Sequence, residues 1–172
     1  AGGQRWTYYR NRAEGQNTLV INPDEKEEQI VNARSKITTV QSKPRGVFAV
    51  ADLSPGYGAE KVKSMQRGVW LTDNRKAVVV QDEITLTNPS EVWWFAHTKA
   101  QIAVSRDGKS AILEKNGKRM YAAIVSPMAQ AKFTVMEANP LPSSPASNTS
   151  ENGRSQFKKL AIQVTGVTDY KL

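Results

Sequence analysis

Few residues in this chain could do chemistry. There is one histidine, His97, in the run VWWFAHT, so any imidazole acid–base or metal role must be built on it. A Ser-His-Asp triad would lack the GxSxG elbow that presents its serine. SPGYG contains glycines but has neither the lysine nor the following helix of a phosphate loop. With one histidine and no cysteine, zinc could be held only by His97 and carboxylates. The other reading of His97 is a ring packed between sheets with its nitrogens satisfied.

The densest set of candidates lies in YYRNRAEGQNTLVINP, Tyr8 to Pro23. Read as extended chain, Arg10, Arg12 and Glu14 share one face, while Tyr9 and Asn11 point the other way. Arginine forks bind carboxylates and sulfates in a planar, two-pronged fashion. The competing reading is an Arg–Glu pair on an edge strand, which is worth little energetically. In VADLSPGYG, turn geometry accounts for Asp52 and the Ser-Pro-Gly that follows it. It does not account for Tyr57, a candidate ligand contact because exposed loops carry binding groups. Trp93 and Trp94 are adjacent on an expected strand and so face opposite ways. One is expected in the core, and the other meets solvent or a second domain; an exposed tryptophan could stack on a sugar ring, with packing the favoured reading.

The elements that must position these groups read as strand after strand. NTLVIN, ITTV, GVFAVADL, RGVWLT, KAVVVQDEITL and EVWWFAHT are separated by turn chemistry such as PDE, SKPRG, DNRK and TNPSE. AQIAVS, SAILE, RMYAAIV, AKFTVMEA and KLAIQVTGV follow. Asp107-Gly108 and Asn116-Gly117 are the strongest hairpin signals, since these residues accept the positive φ of a tight turn. AEKVKSMQRG is compatible with a turn of helix or with a strand. The expected fold class is all-β, a two-layer antiparallel β-sandwich with very little helix. It is read as a single domain over residues 1–172, with residues 1–17 as an opening segment at an interface edge. NPLPSSPASNTSENGRSQ, residues 139–156, reads as a long exposed loop inserted in that domain.

Bulk properties set the limits. The chain has 172 residues, 39% of them hydrophobic, enough for one core. A globule of that size buries about 70% of its unfolded surface. No apolar run approaches the roughly 20 residues of a membrane span. AGGQRW has neither a basic region nor an apolar stretch, so no signal peptide is read there and a mature or excised segment is expected. The formal charge of +8 favours anionic partners. Scattered basic residues without a recognition helix or an aromatic RNA-binding signature argue against nucleic acid.

GQRWTYYRNRAEGQNTLVINP, followed by FAVADLSPGYG, RGVWLTDNRKAVVVQDEI, VWWFAHT and KKLAIQVTG, resembles the C-terminal β-sandwich of heparinase II/III-like polysaccharide lyases over nearly the whole chain. The resemblance implies an α/α toroid upstream of these residues that carries much of the catalytic machinery. It implies β-elimination: a base takes the proton α to a uronate carboxylate, and the 4-linked oxygen leaves. Such a site needs cationic or amide donors beside its base. Tyr9, Arg10, Arg12 and Asn17 are then implied substrate contacts, joined by Tyr57, and Gln16 and Glu14 are the candidates for catalytic positions. Gln16 stands where relatives place the histidine of a His-Asn step. Glutamine can donate to a carboxylate but cannot shuttle a proton. Relatives also hold a structural metal through histidine and aspartate, and Asp52 and His97 fall in the corresponding motifs. With Gln16 a poor third ligand, no cofactor is expected, and a structural zinc on Asp52 and His97 is the alternative. The implied partners are the toroid and an acidic polysaccharide, for example a glycosaminoglycan, with no nucleic acid and no membrane; a homo-oligomer stays open. The implied location is periplasmic or secreted. The other class is a non-catalytic carbohydrate-binding or structural module.

Overall fold

The structure, a computed structural model, describes residues 8–24, 30–147 and 154–172. Residues 1–7 of the opening segment and 148–153 of the expected loop lie outside the described residues. The strands are β1 (Leu19–Ile21), β2 (Lys36–Lys43), β3 (Gly46–Asp52), β4 (Val62–Thr72) and β5 (Ala77–Thr98), then β6 (Gln101–Val104), β7 (Ser110–Lys115), β8 (Lys118–Ala123), β9 (Phe133–Glu137) and β10 (Lys158–Lys171). The larger antiparallel sheet runs β2-β3-β4-β5-β10-β9 with β1 added on β5, and the smaller runs β6-β7-β8. The fold is all-β, of the antiparallel sandwich class; the only helix among the described residues is short 3-10 turns. The ambiguous AEKVKSMQRG segment leads into β4.

The chain packs as two compact units, and β5 and β10 each supply residues to both. Of the described residues, the first contains 8–24, 91–125, 129–147 and 154–165. Its core gathers Val20, Phe95, Leu141 and Ala161, with Ala13, Trp93 and Met136 packed against them. Residues 159–162 of β10 are buried without alternation. That pattern belongs to a strand covered on both faces, not to a half-exposed one. The β7–β8 hairpin turns on Asn116 and Gly117, with φ of 52° and 73°, as the Asn-Gly pair requires.

Of the described residues, the second unit contains 30–90, 126–128 and 166–172. It is a meander of β2, β3, β4 and the first part of β5, closed by the end of β10. Arg67 and Asp82 face each other across β4 and β5. They form a two-pronged pair, Nε to Oδ1 at 2.6 Å and Nη2 to Oδ2 at 2.8 Å.

One turn signal fails. TNPSE was expected to separate two strands, yet β5 runs without a break from Ala77 to Thr98. Pro89 falls after the register with β4, which reaches Leu86, and before the register with β1, which begins at Val92. Its missing N–H therefore interrupts neither ladder.

Candidate functional site

The stretch that holds most of the candidates is not extended. It makes two successive 3-10 turns, Tyr9–Asn11 and Ala13–Gly15. The turn bonds run from the N–H of Arg12 to the carbonyl of Tyr9 at 3.1 Å and from Gln16 to Ala13 at 2.9 Å. Gly15 makes this possible, because a Cβ there would lie 2.1 Å from the Tyr9 carbonyl oxygen. The expectation that Arg10, Arg12 and Glu14 share a face is therefore corrected. Arg10 is exposed, its guanidinium 4.5 Å from the centre of the Tyr8 ring. Arg12 donates to the carbonyls of Pro145 and Ala146, the latter at 2.9 Å. Glu14 is fully buried.

Glu14 meets Lys159 of β10, also fully buried, with Nζ 3.7 Å from Oε1. The same oxygen accepts the N–H of Leu141. Lys159 also donates to the Asn139 carbonyl at 2.9 Å and lies 4.3 Å from the centre of the Phe95 ring. A buried ion pair of this kind needs such further donors and acceptors to offset desolvation. From Asn139 to Ser147 the expected loop carries no strand, yet these bonds tie it down. The stretch from Asn139 to Ala146 is tied to Arg12, Glu14 and Lys159, and Leu141 within it is buried.

The second cluster joins the opening turns to β5. The Tyr9 hydroxyl lies 2.8 Å from Nε2 of His97. Asn17 Oδ1 accepts the backbone N–H of His97 at 2.7 Å and lies 3.3 Å from Nδ1. An amide oxygen only accepts, so Nδ1 carries the imidazole proton and Nε2 accepts from Tyr9. Burial holds the His97 pKa down to about 4, with the nearby Lys159 cation adding to the effect. His97 is thus a neutral, oriented ring with both nitrogens engaged. Trp93, Phe95 and His97 alternate along β5 and touch in sequence, at 5.7 and 6.3 Å between ring centres.

The remaining candidates separate by exposure. Gln16 is exposed and donates to the Arg10 carbonyl; Asn17 is exposed apart from its latch on His97. Tyr57 was expected on an open loop but is 3% exposed. Neither tryptophan is fully buried: Trp93 stacks on Phe95 and donates to Glu91 at 2.8 Å, and Trp94 is half-buried. Asp52 serves its own turn, with Oδ1 accepting from the Ser54 hydroxyl at 2.6 Å and the Ser54 N–H at 3.0 Å. Those bonds lower its pKa.

The zinc implied by resemblance is a poor match to these residues. His97 turns its nitrogens to Tyr9 and Asn17, Asp52 holds Ser54, and the two fall in different units. Among the described residues no group of three or more His, Asp or Glu is placed to hold a metal.

Lys159 was missed in the sequence. It stands 145 positions from Glu14, and no spacing rule links them. The available signal was a lysine opening the run KLAIQV, whose continuous burial must take that lysine with it.

The family model for the heparinase II/III-like C-terminal domain matches residues 1–166. Eight solved chains are similar in structure. One is a heparinase III solved with methylated lysines, with a TM-score of 0.61 and 17% identity over 95% of this chain. The chain spans 23% of that protein's length. Among curated proteins, no sequence matches.

Proposed function

This chain belongs to the heparinase II/III-like family through its C-terminal domain, and from that premise we propose that it is the sandwich portion of a polysaccharide lyase. It serves β-elimination on uronate-containing acidic glycans, glycosaminoglycans among them, in a periplasmic or secreted enzyme. The acid–base groups come from an N-terminal α/α toroid, without which the sandwich is inactive.

One observation carries the reading. Arg10, Gln16 and Asn17 are exposed on the opening turns, a neck that the buried Glu14–Lys159 pair and the half-buried Tyr9–His97 bond fix in place. The titratable members of those clusters are turned inward. Donors of this kind can neutralise a uronate carboxylate and make its α-proton acidic, but they cannot remove it. His97 is no substitute, being held near 4 and engaged on both nitrogens. In this reading the removal step is assigned to a partner domain.

The test compares the 172-residue chain with the full-length protein that carries it, reading the ultraviolet absorbance of unsaturated uronate. Product from the full-length protein alone is expected. Product from the chain by itself contradicts the proposal. Gln16 favours a second reading, a non-catalytic glycan-binding module, because it cannot pass a proton. Glycan binding by a full-length protein without turnover would select that reading.

A further inference from the structure

The two hairpins of the second unit leave one face of their sheet open around an aromatic ring. The registers place Gln41, Phe48, Trp70 and Val79 in a row across β2 to β5. Trp70 is 51% exposed, although indoles contribute most when buried. Two glycines keep its surroundings flat. A Cβ on Gly46 would lie 2.6 Å from the Leu71 carbonyl oxygen and 3.6 Å from the indole nitrogen. At Gly68, two positions before Trp70 on the same face, the nearest atom to an added Cβ is the Gln81 carbonyl oxygen at 3.9 Å.

Charge rims this platform. Lys43 and Arg45 flank Pro44 at the β2–β3 tip, and Arg75 and Lys76 end the β4–β5 turn, against one acid, Asp73. No ion pair among the described residues engages any of these four cations. Asp73, Asn74 and Arg75 hold positive φ of 49°, 52° and 68° in succession without a glycine. Three left-handed residues in a row without glycine are uncommon and are kept where a loop's shape matters. Between the tips lies an open trough of about 460 Å³, bounded by Trp70, Gln41, Lys43, Arg45 and Asn74.

We propose that this trough is a saccharide subsite for an acidic glycan. The Trp70 indole stacks on the apolar face of a pyranose, Lys43 and Arg45 take its carboxylate or sulfate, and Gln41 and Asn74 meet its hydroxyls. A sugar ring presents C–H groups on its face and hydroxyls at its rim, which suits an exposed indole set among amides. The cation surplus selects an anionic ring over a neutral one. The volume lies within the range of small-ligand sites, about 300–1,000 Å³. The inference goes beyond the lyase reading and does not need it, because a glycan-holding trough serves a lyase and a non-catalytic module alike.

The experiment titrates the 172-residue chain with a uronate tetrasaccharide, its sulfated counterpart, a neutral glucose tetrasaccharide and a single-stranded oligonucleotide. It follows the indole N–H resonance assigned through Trp70→Phe. Shifts are expected with the acidic sugars. Trp70→Ala and the exposed-site double variant K43Q/R45Q should each weaken binding about tenfold, and the double variant should also reduce its salt dependence. Failure of both acidic sugars to bind, binding unchanged in both variants, or tighter binding of the oligonucleotide or the neutral sugar overturns the proposal. Turnover of a short substrate by the full-length protein is measured in parallel. Absence of turnover in the wild type counts against the lyase reading alone, while the binding results decide the trough.

Discussion

The Tyr9 hydroxyl donates to Nε2 of His97 across 2.8 Å, joining residues 88 positions apart in sequence. This bond fixes the imidazole as a neutral acceptor and fastens the opening turns to β5. Substituting Tyr9→Phe leaves a half-buried acceptor without its donor, and about 1–2 kcal/mol of stability should be lost. Urea unfolding of the variant measures it; an unchanged midpoint would show that the bond contributes nothing.

Acid sensitivity follows from the same ring. The unfolded chain takes up the His97 proton near the ordinary 6.5, whereas the folded chain resists until about 4. In that window the unfolded state binds more protons, so stability falls as pH drops from about 6.5 toward 4 and loses no more from this group below it. His97 is the only histidine, which makes the assignment clean. Unfolding midpoints across the window should decline less steeply in His97→Gln than in the wild type. Equal slopes would remove His97 as the cause.

The Glu14–Lys159 pair should behave as a unit. Glu14→Gln leaves a buried ammonium facing a neutral group, and Lys159→Met leaves a buried carboxylate, each at a cost of about 3 kcal/mol or more. The double variant should cost less than the sum of the two, since both charges leave together. A double-mutant cycle by chemical denaturation checks this. Strict additivity would mean that the two charges do not couple.

How legible these features were in the sequence depends on the range of the interaction. Asn116-Gly117 was readable because a tight turn is a local demand on φ, met by the two residues themselves. The Asp52 turn was readable for the same reason. The opening stretch was misread because alternation assumes extended chain, while Gly15 permits an approach to the Tyr9 carbonyl that tightens residues 9–15 into turns. Pro89 was misread because its effect depends on where neighbouring strands stop pairing, which is tertiary information. The polar-looking loop after Asn139 gave no sign that its backbone would satisfy a buried glutamate and a buried lysine.

Within the second unit, the Tyr170 hydroxyl is buried without a hydrogen-bond partner among the described residues. Burial pushes its pKa upward, and the Asp82 carboxylate adds to the shift. Tyr170→Phe removes a polar group that gains nothing, so stability should change by less than about 1 kcal/mol or rise. Asp82→Asn, by contrast, strips the two-pronged partner from Arg67 and should cost about 3 kcal/mol. Thermal unfolding of both variants tests the contrast, and a large loss in Tyr170→Phe would reveal an unrecognised bond.

Arg10 and Arg12 stand two positions apart and should separate cleanly by experiment. Arg12 spends its guanidinium on the carbonyls of Pro145 and Ala146, so Arg12→Ala should lower stability by about 1–2 kcal/mol and speed proteolysis between Asn139 and Ser147. Arg10 is exposed, with its guanidinium 4.5 Å from the centre of the Tyr8 ring, and losing an exposed contact of that kind in Arg10→Ala should cost no more than about 1 kcal/mol. If the neck presents cations to a uronate, Arg10→Ala in the full-length protein should reduce kcat/KM about tenfold or more, with Arg10→Lys recovering part of it through charge without the planar fork. A variant with wild-type turnover and wild-type stability would remove Arg10 from the substrate face and turn the test to Gln16 and Asn17.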